Sequence, residues 1–276
     1  MTNELAATVT SSTLAVPGAE LYFERRGGGP LLILHAAPMD ADSFAPAAEL
    51  LAVDHTVVTS DPRGVNRSAV DDPDRDVSPD ERADDLARLI EHVDAGPAVV
   101  FGSSGGAVSA LALLQRRPDL VTTVIAHEPP LAELLPDRDE LRRRTDEMVA
   151  TYLSGDRVAA WHEFLELANI FMPDEVFDLV FGAPPQGHHA DDERFAFAHM
   201  EVPTTFWTPD LDAVRRWSDR LSIGIGEDSS GELCDRAARA LASALDVDPV
   251  MFPGGHIAFA EDPSSFVDRL RAVLDR

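Results

Sequence analysis

The chain has no lysine; all 23 of its basic residues are arginine. Schiff-base catalysis, pyridoxal-phosphate attachment and a P-loop lysine each need an ε-amine, so all three are excluded. Cysteine is almost as scarce. Cys234 stands alone in 276 residues, which forbids an intrachain disulfide and any cysteine-based zinc site. It falls in a helical-looking run, Glu232 to Leu245, with no glycine turn to present it as a nucleophile, and reads as a bystander. No apolar run approaches the ~20 residues that a membrane helix needs. The stretch from Met1 to Leu14 lacks a basic region followed by an apolar one, so a cytoplasmic location is the expectation. Positive charge is in deficit too, since 49 acidic residues bring the net charge to −26. Such a surface repels phosphate backbones and anionic lipid. Neither nucleic acid nor a membrane is an expected partner, and a polyanionic substrate is disfavoured.

What is present is an alternation of short apolar runs and helical patterns. Leu31-Leu32-Ile33-Leu34, Thr56–Thr59, Ala98–Phe101, Val121–Ala126, Ser222–Ile225 and Val250–Phe252 read as strands, several of them apolar throughout, as in a parallel sheet buried on both faces. Between and after them fall helical segments: Pro79–Val93 with Ser78 as its N-cap, Gly105–Arg117 ended by Pro118, Glu232–Leu245 and Ser264–Leu274. Leu14–Val16 and Leu21–Arg25 add two strands around a Pro17-Gly18 turn, after a loose tail over residues 1–13. The pattern predicts an α/β protein with a mostly parallel central sheet and helices on both faces. Its core takes in residues 14–130 and 210–276. Residues 131–209 break the rhythm. They read as a helical insertion (Asp139–Leu153, Asp156–Phe171, Asp174–Phe181) followed by a loop from Gly182 to Ala190. Nine aromatics from Trp161 to Trp207 concentrate there, enough to build the insertion's own small core and to line part of a pocket.

The chemistry-bearing motif is Gly102-Ser103-Ser104-Gly105-Gly106, set between a strand and a helix. A turn this sharp strains its central residue, and flanking glycines relieve the crowding. It lifts the Ser104 hydroxyl above the carboxyl edge of the sheet and points the first N–H groups of the helix at whatever bonds to that hydroxyl. Other motifs close other strands: His35-Ala36-Ala37-Pro38, Asp61-Pro62-Arg63-Gly64-Val65-Asn66-Arg67-Ser68 and Pro253-Gly254-Gly255-His256. His35 and His127 sit at strand ends as structural hydrogen-bonding groups. His188-His189, with Asp191-Asp192 nearby, reads as solvated loop, and no metal is assigned to it.

Together these motifs resemble the α/β-hydrolase superfamily over residues 20–130 and 211–275; the insertion, a helical cap in that family's terms, carries none of the resemblance. The resemblance implies Ser104 as nucleophile, His256 as its base, and an oxyanion hole made by the backbone N–H groups of Gly105 and Ala37. Ala36 replaces the usual glycine of its motif, and Asn66 stands where glycine is common. Two strand ends can supply the triad acid. Glu128, in Ala126-His127-Glu128-Pro129-Pro130, matches the placement in the haloalkane-dehalogenase-like branch. Asp228 lies one residue short of the usual acid position, which Ser229 occupies. Glu128 is favoured over Asp228.

A serine at position 104 argues against dehalogenase or epoxide-hydrolase chemistry, for which the resemblance demands an aspartate. It implies acyl transfer from an ester, lactone or thioester through an acyl-enzyme, without metal or organic cofactor. The expected substrate is a small molecule with a medium-sized hydrophobic acyl or alcohol portion, and neutral. Two other readings stay open on the same fold: a cofactor-free oxygenase or perhydrolase, and a ligand-binding protein with a vestigial triad.

Overall fold

The structure is a computed structural model that describes residues 8–275. Its strands are β1 (Thr10–Val16), β2 (Ala19–Gly27), β3 (Leu31–Ala37), β4 (Thr56–Ser60), β5 (Ala69–Val70), β6 (Ala98–Ser104), β7 (Val121–His127), β8 (Leu221–Gly226) and β9 (Val250–Phe252). Among the described residues they form one sheet in the order β1-β2-β4-β3-β6-β7-β8-β9, with β5 paired to β2 off that path. The β1–β2 and β2–β4 pairs are antiparallel, and every pair from β4 to β9 is parallel. This is the α/β architecture that the alternating runs predict.

The period of two along each strand divides the core. Leu31 and Ile33 face one side with Val100, Val124 and Ile223, while Leu32 and Leu34 face the other with Phe101, Ile125 and Phe252. In chain order the helices are α1 (Ala45–Leu51), α2 (Pro79–Val93), α3 (Gly105–Arg116), α4 (Arg138–Leu153), α5 (Arg157–Ala168), α6 (Asp174–Phe181), α7 (His188–Phe195), α8 (Glu201–Thr205), α9 (Leu211–Arg215), α10 (Leu233–Leu245), α11 (Ala258–Glu261) and α12 (Pro263–Leu274). Helices α2, α3 and α10 cover the first side; α1, α11 and α12 cover the second. None is long and apolar enough to cross a membrane.

Local chemistry explains the boundaries. Ser78 Oγ accepts from the Glu81 N–H at 3.2 Å, and Glu81 Oε2 accepts from the Ser78 N–H at 3.1 Å. That reciprocal box, with Pro79 at the first position, starts α2 where the sequence places it. The expected tail is shorter than residues 1–13, because Thr10 to Thr13 already pair with β2. Their side chains are exposed, so this edge strand shows no apolar alternation to read. Residues 1–7 of that tail lie outside the described residues.

Between β7 and α9 the chain runs through α4 to α8. Tyr152 stacks on Phe197 at 4.2 Å between ring centroids, and Trp161 stacks on Phe181 at 4.2 Å. Below them Glu193 accepts from Arg157, from the Trp161 indole at 3.0 Å and from the Tyr152 hydroxyl at 3.0 Å. These aromatics serve the insertion's own core, and Phe171 is 91% exposed. The loop expected over Gly182–Ala190 ends at Gly187, since α7 starts at His188. A π-helical turn, Ala196–Met200, joins α7 to α8.

Candidate active site

Ser104 ends β6 and caps α3 with φ 55° and ψ −125°. A side chain rarely tolerates that conformation, and three glycines show what holds it. A Cβ on Gly102 would lie 2.4 Å from the Gly106 carbonyl oxygen, one on Gly106 2.3 Å from that of His35, and one on Gly105 2.6 Å from that of Ala37. Helix α3 therefore presses against β3 and β6 backbone to backbone, and only glycine fits at the contacts. Ala37 pairs with Ser104 in the β3–β6 register, so the two segments bearing the expected oxyanion donors lie side by side.

The residue after β7 is Glu128. Its φ is 50°, its N–H donates to the Gly224 carbonyl at 3.0 Å, and its side chain is fully buried. Oε1 accepts the Gly226 N–H at 2.8 Å, and Oε2 lies 2.5 Å from His256 Nδ1. Burial pushes this carboxyl up, but the His256 hydrogen bond, the neighbouring imidazoles and the Gly226 N–H more than offset it and hold it down to about 2. Glu128 is thus a carboxylate. An anion beside Nδ1 selects the tautomer with the proton on Nδ1 and leaves Nε2 as the acceptor. His256 remains partly exposed in the Pro-Gly-Gly loop after β9.

Asp228, the alternative acid, is exposed, and its backbone N–H donates to the Gly254 carbonyl at 3.0 Å. Among the described residues His256 pairs with Glu128 and not with Asp228. Ser229 is buried in that loop, its hydroxyl without a partner among the described residues.

The remaining motifs act as supports. Asp61 accepts from the Ala41 N–H at 2.9 Å and from Arg67, while Ser68 Oγ donates to the Asp61 carbonyl at 2.8 Å. Arg63 grips Asp85 of α2 with two bonds, 2.7 and 2.5 Å. Asn66 takes the left-handed conformation (φ 49°) that the usual glycine would. His35 and His127 are buried hydrogen-bonding groups: His127 Nδ1 is 3.1 Å from Ser103 Oγ, and His35 Nδ1 is 3.4 Å from Ser60 Oγ. Burial lowers His127 to about 4 and His35 to about 3, so both are neutral. Cys234 lies within α10, and burial together with nearby carboxylates raises its thiol well above the ordinary value, which fits a bystander.

Arg82 is a support that sequence reasoning misses. It is 1% exposed and donates to Ser109 Oγ of α3 at 2.9 Å and to Thr204 Oγ1 of α8 at 2.8 Å. Ser109 in turn donates to the Gly105 carbonyl at 3.0 Å. One guanidinium thereby ties α2, the elbow helix and the insertion together. The only sequence signal is its position in the buried stripe Arg82, Leu86 and Leu89.

A family model for the alpha/beta hydrolase fold matches residues 29–162. An uncharacterized hydrolase of Bacillus subtilis, YraK, is 32% identical over 275 residues, covering 98% of this chain and 97% of its own. The chain belongs to the α/β-hydrolase family and is a hydrolase. The chain is also similar to the zearalenone hydrolase of Bionectria ochroleuca, 24% identical over 274 residues with 93% of this chain and 95% of that protein covered. Among solved structures, an α/β hydrolase from a Medee basin deep-sea metagenome, MGS-M2, superposes with a TM-score of 0.73 at 17% identity, covering 96% of this chain and 98% of that one. Est816, described as an N-acyl homoserine lactone degrading enzyme, gives 0.69 at 21% identity, covering 95% and 99%. At those identities the superpositions show the shared α/β-hydrolase fold.

Proposed function

We propose that this α/β hydrolase is a cofactor-independent serine hydrolase that opens an ester, lactone or thioester of a medium-sized, hydrophobic, neutral substrate through an acyl-enzyme. The observation that carries the reading is the Glu128–His256 contact of 2.5 Å at the end of β7, one strand from the strained Ser104. In the reaction His256 Nε2 takes the Ser104 proton as Oγ attacks the carbonyl carbon. Glu128 stabilises the imidazolium that forms. The carbonyl oxygen, now an oxyanion, accepts from the N–H groups of Gly105 and Ala37, in the field of the α3 N-terminus. The imidazolium returns its proton to the leaving oxygen or sulfur, and water then opens the acyl-enzyme by the same route in reverse.

The surroundings support the substrate class. Ala37, Val65, Val77, Phe195 and Met200 form an apolar cluster beside the oxyanion loop, and the Thr204 methyl faces Gly105. A net charge of −26 opposes the approach of an anionic coenzyme ester. One structural relative, Est816, is described as a lactone-degrading enzyme, in keeping with a cyclic or open ester.

The test is labelling with a fluorophosphonate followed by peptide mass analysis, with p-nitrophenyl ester turnover measured alongside. The label falls on Ser104, and Ser104→Ala removes both label and turnover, a loss on the order of 10⁴ in kcat. Undiminished turnover in purified, folded Ser104→Ala would refute the serine mechanism.

A further inference from the structure

His188-His189 lies outside the Ser104 machinery, and the structure gives it a geometry that a solvated loop would not have. The two histidines open the first turn of α7, after Gly187 at φ 61°. His188 and Asp192 are four residues apart and share one helix face. The two imidazole centroids are 3.9 Å apart. One nitrogen from each ring and one Asp192 carboxylate oxygen all lie within 4.8 Å of one another. Around a tetrahedral zinc with bonds of ~2.0–2.2 Å, neighbouring ligand atoms stand about 3.4 Å apart. Both histidines are exposed, so small side-chain rotations bring the three donors to that spacing without repacking.

Asp192 is already oriented for such a role. Its Oδ1 accepts the backbone N–H of Asn66 at 2.7 Å, and Asn66 is itself fixed by donating Nδ2 to Asp40 at 3.0 Å. One carboxylate oxygen is thereby held by the core loop, and among the described residues Oδ2 accepts no hydrogen bond. A backbone donor behind a ligating carboxylate is the usual way such ligands are held in place. The cleft between α7 and the Gly64–Ser68 loop offers about 400 Å³, room for a cation and its waters. Asp74 and Asp191 line it with Arg194 as the one opposing charge from arginine. The positive end of the α7 dipole, about half a charge, also opposes a cation, but Asp192 and Asp191 outweigh it.

The geometry points to a binding site for a borderline divalent transition metal, Zn²⁺ or a close relative, formed by His188, His189 and Asp192 where the insertion meets the core. Two imidazoles and one carboxylate suit that class of ion. Ca²⁺ and Mg²⁺ require an oxygen-rich shell that these residues do not supply. The site is structural. All three ligands belong to α7, so a bound ion holds the first turns of that helix, whose last residue, Phe195, packs with Ala37 and Val65. The inference does not depend on the acyl-transfer reading.

Tag-free protein, stripped with a chelator and dialysed, is titrated with Zn²⁺ by calorimetry and with Co²⁺ by visible absorption. The expected result is saturable binding of one equivalent, Co²⁺ ligand-field bands, and a melting temperature that rises with Zn²⁺ concentration. The double variant His188→Ala, His189→Ala folds as before because both side chains are exposed. It loses the Co²⁺ bands and at least tenfold in Zn²⁺ affinity, and Asp192→Asn weakens binding similarly. No saturable binding by the unaltered protein overturns the proposal. So does equal binding by the double variant, or displacement of Zn²⁺ by equimolar Ca²⁺, since either would mean general attraction to an acidic surface.

Discussion

Replacing Glu128 with glutamine keeps the volume of a fully buried side chain and removes its charge. The carboxylate now serves two donors, the Gly226 N–H on one oxygen and His256 Nδ1 on the other. An amide has only one oxygen. If that oxygen keeps Gly226, the NH₂ faces Nδ1, and the imidazole is driven to the tautomer that carries its proton on Nε2, where it cannot accept from Ser104. If the oxygen keeps His256, the NH₂ opposes the Gly226 N–H inside the sheet. The carboxyl sits at about 2 against 4.5 for an unperturbed glutamate, which values its charged, histidine-bound form by about 3 kcal/mol. Loss of that stabilisation when the imidazolium forms costs on the order of 10² in rate, and the tautomer error can extend it towards 10⁴. The expected outcome for Glu128→Gln is a fall in kcat of ~10²–10⁴ with KM little changed, because the deficit arises only once the proton has moved. The assay is p-nitrophenyl ester hydrolysis at substrate concentrations spanning KM, with melting curves on the same samples. Asp228→Asn, an exposed change, should stay within about threefold of the unaltered enzyme. A folded Glu128→Gln with near-normal kcat, or a crippled Asp228→Asn, would refute the assignment of the acid.

Acid should weaken the fold through its neutral histidines. His127 and His35 are held by burial at about 4 and about 3, against 6.5 when unfolded, so the unfolded chain binds more protons below pH ~6.5. That stability is complete above ~6.5 and is lost as pH falls, by about 1.4 kcal/mol per pH unit for each histidine; urea unfolding from pH 7 to 5 should show a slope shallower by that amount in His127→Gln, and equal slopes would contradict it. Arg82→Leu should cost about 3 kcal/mol or more, lowering the melting temperature by roughly 6–12 °C, because Ser109 and Thr204 lose their buried donor. An unchanged melting temperature would show that the guanidinium is not needed to join the layers. Gly106→Ala drives a methyl to 2.3 Å from the His35 carbonyl oxygen and should destabilise by ~3 kcal/mol, whereas Gly255→Ala, with open space around it, should leave denaturant midpoints unmoved.

The sheet and its main helices were legible because each carries its cause locally. Ser78, Pro79 and Glu81 start α2 wherever that tetrapeptide falls in a helix-competent run, and Leu31–Leu34 has no polar face to expose. The β3 strand still extends further than its apolar run, through His35 to Ala37, because β6 goes on pairing its backbone whatever the side chain, after the β4 pairing has stopped at Leu34. Helix α7 was hidden by its setting. Pro184, Pro185 and Gly187 announce a loop, and a start at Gly187 has no capping side chain to announce a helix. The acid was half legible. Spacing along the β8 loop is a local signal that favours Glu128 without excluding Asp228, while the bond that separates the two joins positions 128 residues apart. Arg82 gave least warning, since an arginine on a helix rich in acidic residues looks like solvated surface until its three-dimensional partners are known.

The strand-end position of the acid has a physical consequence that the alternative position would lack. Glu128 is fixed at three points: its own N–H on Gly224, Oε1 on the Gly226 N–H, and Oε2 at His256. Two of these belong to β8, so the carboxylate is locked into the β7–β8 register rather than carried on a loop. A side chain with several rotatable bonds loses conformational freedom when it is held, and here that loss is met by the same backbone groups that form the sheet. The loop after β8 is then released from any need to carry charge. Ser229 buries a small neutral hydroxyl there, and Asp228 turns outward. Among the described residues the carboxylate that pairs with His256 therefore comes from the strand end that two backbone bonds to β8 hold.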